Sequence, residues 1–318
     1  MRSLVVNRPN LDNQRNAVQE ERRLGVDNQP YGKTFETIGE TAYDNFAYKH
    51  STIGSMADLN AATVDDVANF FKMYYAPNNA VLVLVGDFNS RDALAKVRKY
   101  FEAIPSHAAP PAVDMTEPPQ KAERRATLED TFAQVPRMDI VYKIPPGNTS
   151  DFYALQVLGN VLAGGQSSRL YQKLVKEKEM AVQVGGGAQE RRGPGLAQIV
   201  VLARPGKDLA EIEKMVYAEV ERLKTEPVAD WELEKVRLSI RRQRAQTLQS
   251  TLFRTIILGQ FAVYYNDPGL INTVNDKINA VTKADIQRVA QTYAKDTNRT
   301  VIITMPKSRT TPPAKTGE

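Results

Sequence analysis

The chain has no cysteine, which excludes disulfides, thiolate metal sites and a thiol nucleophile. Histidine is nearly as scarce, with His50 and His107 the only two. A Ser-His-Asp arrangement or an imidazole-rich metal site therefore has little to draw on. No apolar run approaches the roughly 18 residues a membrane-spanning helix requires. The apolar core near Met1 is short for a secretory leader, covering only residues 4–6. Neither sign of charge dominates, with 42 Lys and Arg against 37 Asp and Glu. That balance gives no case for nucleic acid or an anionic membrane as partner. What is present, 42% apolar and 25% charged residues over 318 positions, suits a globular chain of two domains.

The stretch that organises the chain is residues 9–23, which reads as a helix entered after Pro9 with Asn10 or Asp12 as its N-cap. At about 100° per residue, Leu11, Ala17, Val18 and Leu24 share one side. Glu21 projects near the middle of that stripe, with Gln14 one repeat before it. Such a carboxylate is either a satisfied buried acid or a ligand or catalytic group, and the helix alone leaves both open.

Residues 34–48 read as a second helix. Thr63 to Asp66 caps a third that runs to Tyr75 and buries Val67, Phe70, Phe71 and Tyr74. The apolar run 80–85, ending at Gly86 and Asp87, reads as a central strand, and residues 91–101 as a helix. Five prolines between positions 105 and 119 mark an extended linker and a domain boundary. Beyond it, strands are expected at 125–128 and 137–143, helices at 151–163 and 169–178, and a structural turn at 164–168. Residues 180–187 and 197–203 read as an antiparallel pair, with Gly185, Gly186 and Gly187 permitting close approach or a bulge. Residues 209–225 and most of 228–265 are helical, the latter capped by Asp230. Arg237, Arg241 and Arg244 form a solvated face paired with Glu232 and Glu234, and Trp231 is a packing residue. Residues 308–318 read as a disordered tail.

The most informative feature is self-similarity. Asn60-Ala-Ala-Thr-Val-Asp-Asp-Val67 resembles Asn279-Ala-Val-Thr-Lys-Ala-Asp-Ile286, and the spacing of 219 persists from Tyr74 to Tyr293 and from Asn79 to Asn298. It continues through the strands expected at 82–84 and 301–303. This reads as a duplicated domain rather than a solenoid. The second copy has about a hundred residues ahead of its matching helix and the first has about ten, so the chain is expected to begin within its first domain.

The stretch Gln14-Arg-Asn-Ala-Val-Gln-Glu-Glu-Arg-Arg23, the stretch Tyr74-Tyr-Ala-Pro-Asn-Asn-Ala-Val-Leu82 and the segment Ser167-Ser-Arg-Leu-Tyr-Gln-Lys-Leu-Val175, in this order, resemble the M16 zinc peptidases. These are the insulinase, pitrilysin and mitochondrial-processing-peptidase relatives, and the resemblance spans residues 3–306. It implies an α+β fold of two homologous units, each an antiparallel sheet packed with helices, here with the first incomplete. The implied division is 1–104 for the C-terminal half of the first unit, 105–122 for the linker, 123–307 for a complete second unit and 308–318 for the tail. The resemblance implies Zn2+ held by two His of an H-x-x-E-H motif and a Glu on a later helix. Such a set leaves an open position where water becomes the nucleophile. Glu21 matches the third ligand, with Glu20 the neighbour if the register slips by one, and Gln14 matches a residue behind the ligands.

Two departures matter. No H-x-x-E-H is present, so no catalytic residue is assigned and the chain alone is expected to be inactive. An Arg and a Tyr that grip substrate in many relatives are matched by Val175 and Val182, which can do neither job. The implied partners are a peptide or unfolded-protein substrate and a second M16 subunit, identical or different. The alternative reading is a non-catalytic subunit shaping a peptide chamber for an active partner. The compartment is open, with the periplasm the expectation from the resemblance and the lack of Cys.

Overall fold

The structure is a computed structural model that describes residues 4–307. The segment 308–318, expected to be disordered, lies outside the described residues. The α+β class is as expected, built on one five-stranded sheet: β1 (Arg124–Asp130), β2 (Arg137–Ile144), β3 (Ala181–Ala188), β4 (Gly195–Ala203) and β5 (Arg299–Pro306). Its order is β1-β5-β2-β4-β3. The sheet is mixed, because β1 runs parallel to β5 while the other pairings are antiparallel. A parallel pair needs a long crossover, here nearly the whole second half of the chain. The pair β3–β4 matches the antiparallel pair expected from the sequence.

The main core lies on one face of this sheet, beneath α7 (Ser150–Ala163), α8 (Leu209–Thr225), α9 (Asp230–Gln249), α11 (Leu270–Ala280) and α12 (Lys283–Tyr293). β2 is buried on both faces, so it reads as a continuous apolar run instead of an alternating one. Its one carboxylate, Asp139, is fully buried but gripped by Arg137 through two bonds of 2.8 Å. Gly159 of α7 and Gly187 of β3 let helix and strand approach closely: a Cβ on Gly159 would lie 3.0 Å from the Gly187 Cα. That is the close approach expected of the triple glycine.

The other face of the sheet is covered from the N-terminal part of the chain. There α1 (Arg8–Arg22) continues through wider turns to Asp27 and is followed by α2 (Gly32–Ala42), α3 (Phe46–Lys49), α4 (Met56–Ala61), α5 (Val64–Tyr74) and α6 (Ser90–Phe101). Ile38, Ala42 and Tyr43 pack with Val141, Leu196 and Ile302 of the sheet. Thr34 and Thr304 share a hydrogen bond of 2.7 Å beneath the same helix.

The Pro-rich linker is pinned. The Glu117 carboxylate accepts from the backbone N–H groups of Asp44 (3.0 Å) and Asn45 (2.9 Å), and also from the Lys143 ammonium. This explains why the helix expected over 34–48 breaks into α2 and α3. Asn45 caps α3, accepting from the Ala47 N–H at 2.8 Å, while Glu117 takes up the amides freed at the break.

The repeat is visible atom by atom. Thr63 and Thr282 each form a reciprocal cap, with N–H donation to Asp66 at 2.9 Å and to Asp285 at 3.0 Å. Asn79 donates to the Tyr74 carbonyl at 2.9 Å, and Asn298 to the Tyr293 carbonyl at 2.7 Å. A third device escaped the sequence comparison. Arg15 donates to the carbonyls of Leu59 and Ala62, as Arg237 does to those of Asn279 and Val281. Gln19 bonds Asn60 at 2.7 Å where Arg241 bonds Asn279 at 3.4 Å. The spacing on this helix is therefore 222, from Arg15 to Arg237, and it falls to 219 by Ala62 and Val281. Length differences in the intervening loops hide the match from a fixed-offset comparison.

Several expectations fail. The arginine face of α9 is only partly solvated: Arg241 is exposed and Arg237 lies 3.9 Å from Glu234 as expected, but Arg237, Arg241 and Arg244 also reach carbonyls and asparagines in and just after α11. Glu232 pairs with Arg169 instead, and α9 begins after Ala229 with Asp230 inside its first turn. Trp231 is exposed beneath the Lys235 ammonium. Residues 80–85 form no strand, because no described strand lies beside them to complete a ladder. Phe70, assigned to a buried face, is 57% exposed for the same want of a neighbour.

Candidate functional site

The candidate site is the surface of α1. The helix starts one turn earlier than expected: Asn7 is the N-cap, accepting from the Asn10 N–H at 2.9 Å, and Pro9 sits in the first turn, where its missing N–H costs nothing. The buried side is also not the apolar stripe of the sequence. It runs through the polar residues Arg15, Gln19 and Arg22, which reach α4 and α2. Arg22 forks onto Glu36 (2.7 and 3.0 Å) and reaches the Gly54 carbonyl at 2.7 Å. That guanidinium holds the Glu36 carboxyl below the usual carboxylate range.

With that face spent on packing, Gln14, Ala17, Glu21 and Leu24 are turned outward. Glu21 is exposed, and the ion pairs beside it run through its neighbours Glu20 and Arg22. Glu20, paired with Arg23 at 3.0 Å, is committed elsewhere. The histidines are taken up locally: His50 stacks on Phe46 and the His107 ring contacts the Lys72 carbonyl. Among the described residues, no three His, Asp or Glu side chains converge so as to hold a metal. A catalytic zinc needs three protein ligands, so the residues present here do not fit the ion.

The spacing of 222 puts Gln243 of α9 where α1 has Glu21. Gln243 lines a cavity of about 280 Å3 between α7, α9 and α10 (Thr251–Tyr265), together with Gln156, Asn160, Glu190 and Arg244. Glu190 accepts from the Tyr265 hydroxyl at 2.7 Å. Burial lowers the Arg244 pKa, and the guanidinium is held by Asn275. Amides and paired ions cannot chelate zinc, so this second position is inert toward it. Val175 is half-buried against the core and Val182 is exposed, and as valines neither carries a side-chain hydrogen-bond donor.

Residues 61–240 match the family described as Peptidase M16 inactive domain. The chain belongs to that family. It is 29% identical over 297 residues to "Zinc protease PqqE" of Helicobacter pylori, a match covering 92% of this chain and 66% of that protein. It is 22% identical over 280 residues to "Uncharacterized zinc protease YmxG" of Bacillus subtilis, covering 88% of this chain and 66% of the relative. The chain thus spans just under two thirds of these relatives' length. Among solved structures, a protease from Helicobacter pylori superimposes with a TM-score of 0.89 at 28% identity, covering 96% of this chain and 74% of that one. A peptidase M16 inactive domain from Pseudomonas fluorescens shares the fold, with a TM-score of 0.79 at 19% identity, over 96% of this chain and 72% of that one. No described helix is long and apolar enough to cross a membrane.

Proposed function

We propose that the chain is the third-ligand half of a zinc metallopeptidase, supplying Glu21 to a metal whose two histidines lie on another segment. The observation that carries this reading is the outward presentation of Glu21 on a helix whose opposite side is fixed by three polar anchors, Arg15, Gln19 and Arg22. A rigidly held, unpaired carboxylate is what a metal site assembled from two segments requires. Gln14, one repeat earlier on the same side, would orient a ligand through its amide without adding charge. Zinc in the assembled site would polarise the peptide carbonyl and activate water. The substrate class is peptide or unfolded protein, and the naming of the relatives as zinc proteases supports it.

The test is zinc content and peptide hydrolysis after co-expression with the H-x-x-E-H segment of a relative. The chain alone should bind no stoichiometric zinc. The assembled form should bind one equivalent, and Glu21→Gln should abolish it while leaving assembly intact. Tight zinc on the chain alone, or full zinc retention in E21Q, would overturn the reading.

A second reading is a non-catalytic subunit that shapes a peptide chamber for an active M16 partner, in a homo- or heterodimer. The amide-lined counterpart at Gln243 and the valines at 175 and 182 favour it, because none of them can serve the chemistry. It predicts that E21Q leaves the partner's peptidase activity unchanged.

A further inference from the structure

The cavity at Gln243 gathers polar groups that the protein leaves unbonded. Gln156 on α7, Gln243 on α9 and Gln260 on α10 all line it, and among the described residues none of their side-chain amides has a hydrogen-bond partner. The Thr247 hydroxyl, on the same wall, has none either. Arg244 commits its Nε to Asn275 at 3.1 Å and its Nη2 to the Ile271 carbonyl at 3.4 Å, which leaves Nη1 without a protein acceptor. Glu190 receives the Tyr265 hydroxyl on one carboxylate oxygen and keeps the other unbonded.

The two charges influence each other without meeting. Burial pulls the Arg244 pKa down while Tyr153 and Glu190 oppose the shift, yet among the described residues no ion pair within 4.0 Å joins Arg244 to a carboxylate. A cation in that condition lacks an anionic contact. The amides have a second significance. Gln156 and Asn160 stand four apart on α7, the spacing of the two His in H-x-x-E-H, and Gln243 stands in the place of Glu21. Imidazoles and a carboxylate in such positions chelate a metal; amides there complement the C=O and N–H of a peptide group instead. Ile240, Ile257 and Phe261 supply an apolar wall beside them.

We propose that this cavity is a binding site for a dipeptide with both ends free. Arg244 Nη1 takes the carboxylate, the open oxygen of Glu190 takes the ammonium, and the glutamine amides meet the peptide bond. Ile257 and Phe261 receive an aliphatic side chain. The size agrees: about 280 Å3 is the volume of roughly nine liquid waters, at the small end of ligand pockets. The charges select a zwitterion, because a bare anion would leave Glu190 unanswered and be repelled by it. The site needs neither zinc nor a second segment, so it goes beyond the peptidase reading and stands apart from it.

Isothermal titration calorimetry of the full chain tests this, with Ala-Leu as the probe beside N-acetyl-Ala-Leu, Ala-Leu amide and acetate. The expected result is one saturable site for Ala-Leu, with acetylation and amidation each weakening binding about tenfold or more. Gln243→Leu and Gln260→Leu remove amides that bond nothing in the protein. Each should keep the parent's melting temperature and weaken Ala-Leu about fivefold. Arg244→Gln should bind Ala-Leu no better than its amide, and Glu190→Gln no better than the acetylated form. That lost discrimination is a ratio between two ligands on one variant, so a modest loss of stability does not imitate it. Should Arg244→Gln fail to fold, the ligand series and the two glutamine variants still decide. Absence of saturable Ala-Leu binding would overturn the proposal. So would acetate or the amide binding as tightly as Ala-Leu, or both glutamine variants binding like the parent.

Discussion

The segment from Thr63 to Gly86 and the segment from Thr282 to Met305 share a helix cap, a helix, a short turn closed by an asparagine and an apolar run. Their fates differ. The second ends in β5, whose Val301 and Ile302 are fully buried, and the first ends in residues whose leucines stand half in water. Local signals therefore decide the cap, the helix and the turn, since these recur in both settings. Whether the apolar run becomes a strand depends on neighbours.

Placing a charge at equivalent positions gives the sharpest contrast. Val301→Asp buries an unpaired carboxylate and should cost roughly 4 kcal/mol or more in urea denaturation. Leu82→Asp, in the chain alone, should stay within about 0.5 kcal/mol. Equal costs would break the comparison. The arginine clamps should behave more alike: Arg237→Ala and Arg15→Ala each strand carbonyls that lie at a helix end, at a cost of about 1–3 kcal/mol. Mutating the caps, Thr282→Ala and Thr63→Ala, should remove about 1 kcal/mol each, read as faster amide exchange at Asp285 and Asp66. The smallest effect is one of pH. Arg22 lowers the Glu36 pKa in the folded chain, so the pair's stabilisation is complete above the unfolded carboxyl pKa and fades as pH falls through the folded value. Glu36→Gln should flatten the loss of stability with acid that the parent chain shows below about pH 4.5.

Much of this architecture was legible in the sequence. Every strand of the sheet and most helices follow from alternation, apolar runs and turn residues, and the reciprocal threonine caps follow from Thr-x-x-Asp. Which face α1 buries was not legible, because its inner side is anchored by Arg15, Gln19 and Arg22 through partners more than a dozen residues away. Periodicity weighs apolar residues and is blind to a helix held by polar ones. The arginine row of α9 was read only in part for the same reason: Arg241 is exposed, but the carbonyls of a second helix beneath Arg237 and Arg244 leave no trace in the sequence pattern. The position of Glu21 came from family resemblance, and the structure adds its exposure and the amide counterpart at Gln243.

The pinning of the linker at Glu117 has a thermodynamic consequence. One carboxylate ties the α2–α3 break to β2, so α2 and the sheet it covers are fixed relative to each other before anything binds. A partner that docks against this joint meets a preorganised frame and loses only its own conformational freedom, so more of its contact survives as affinity. Cutting that tie with Glu117→Ala would transfer the ordering cost to the binding step.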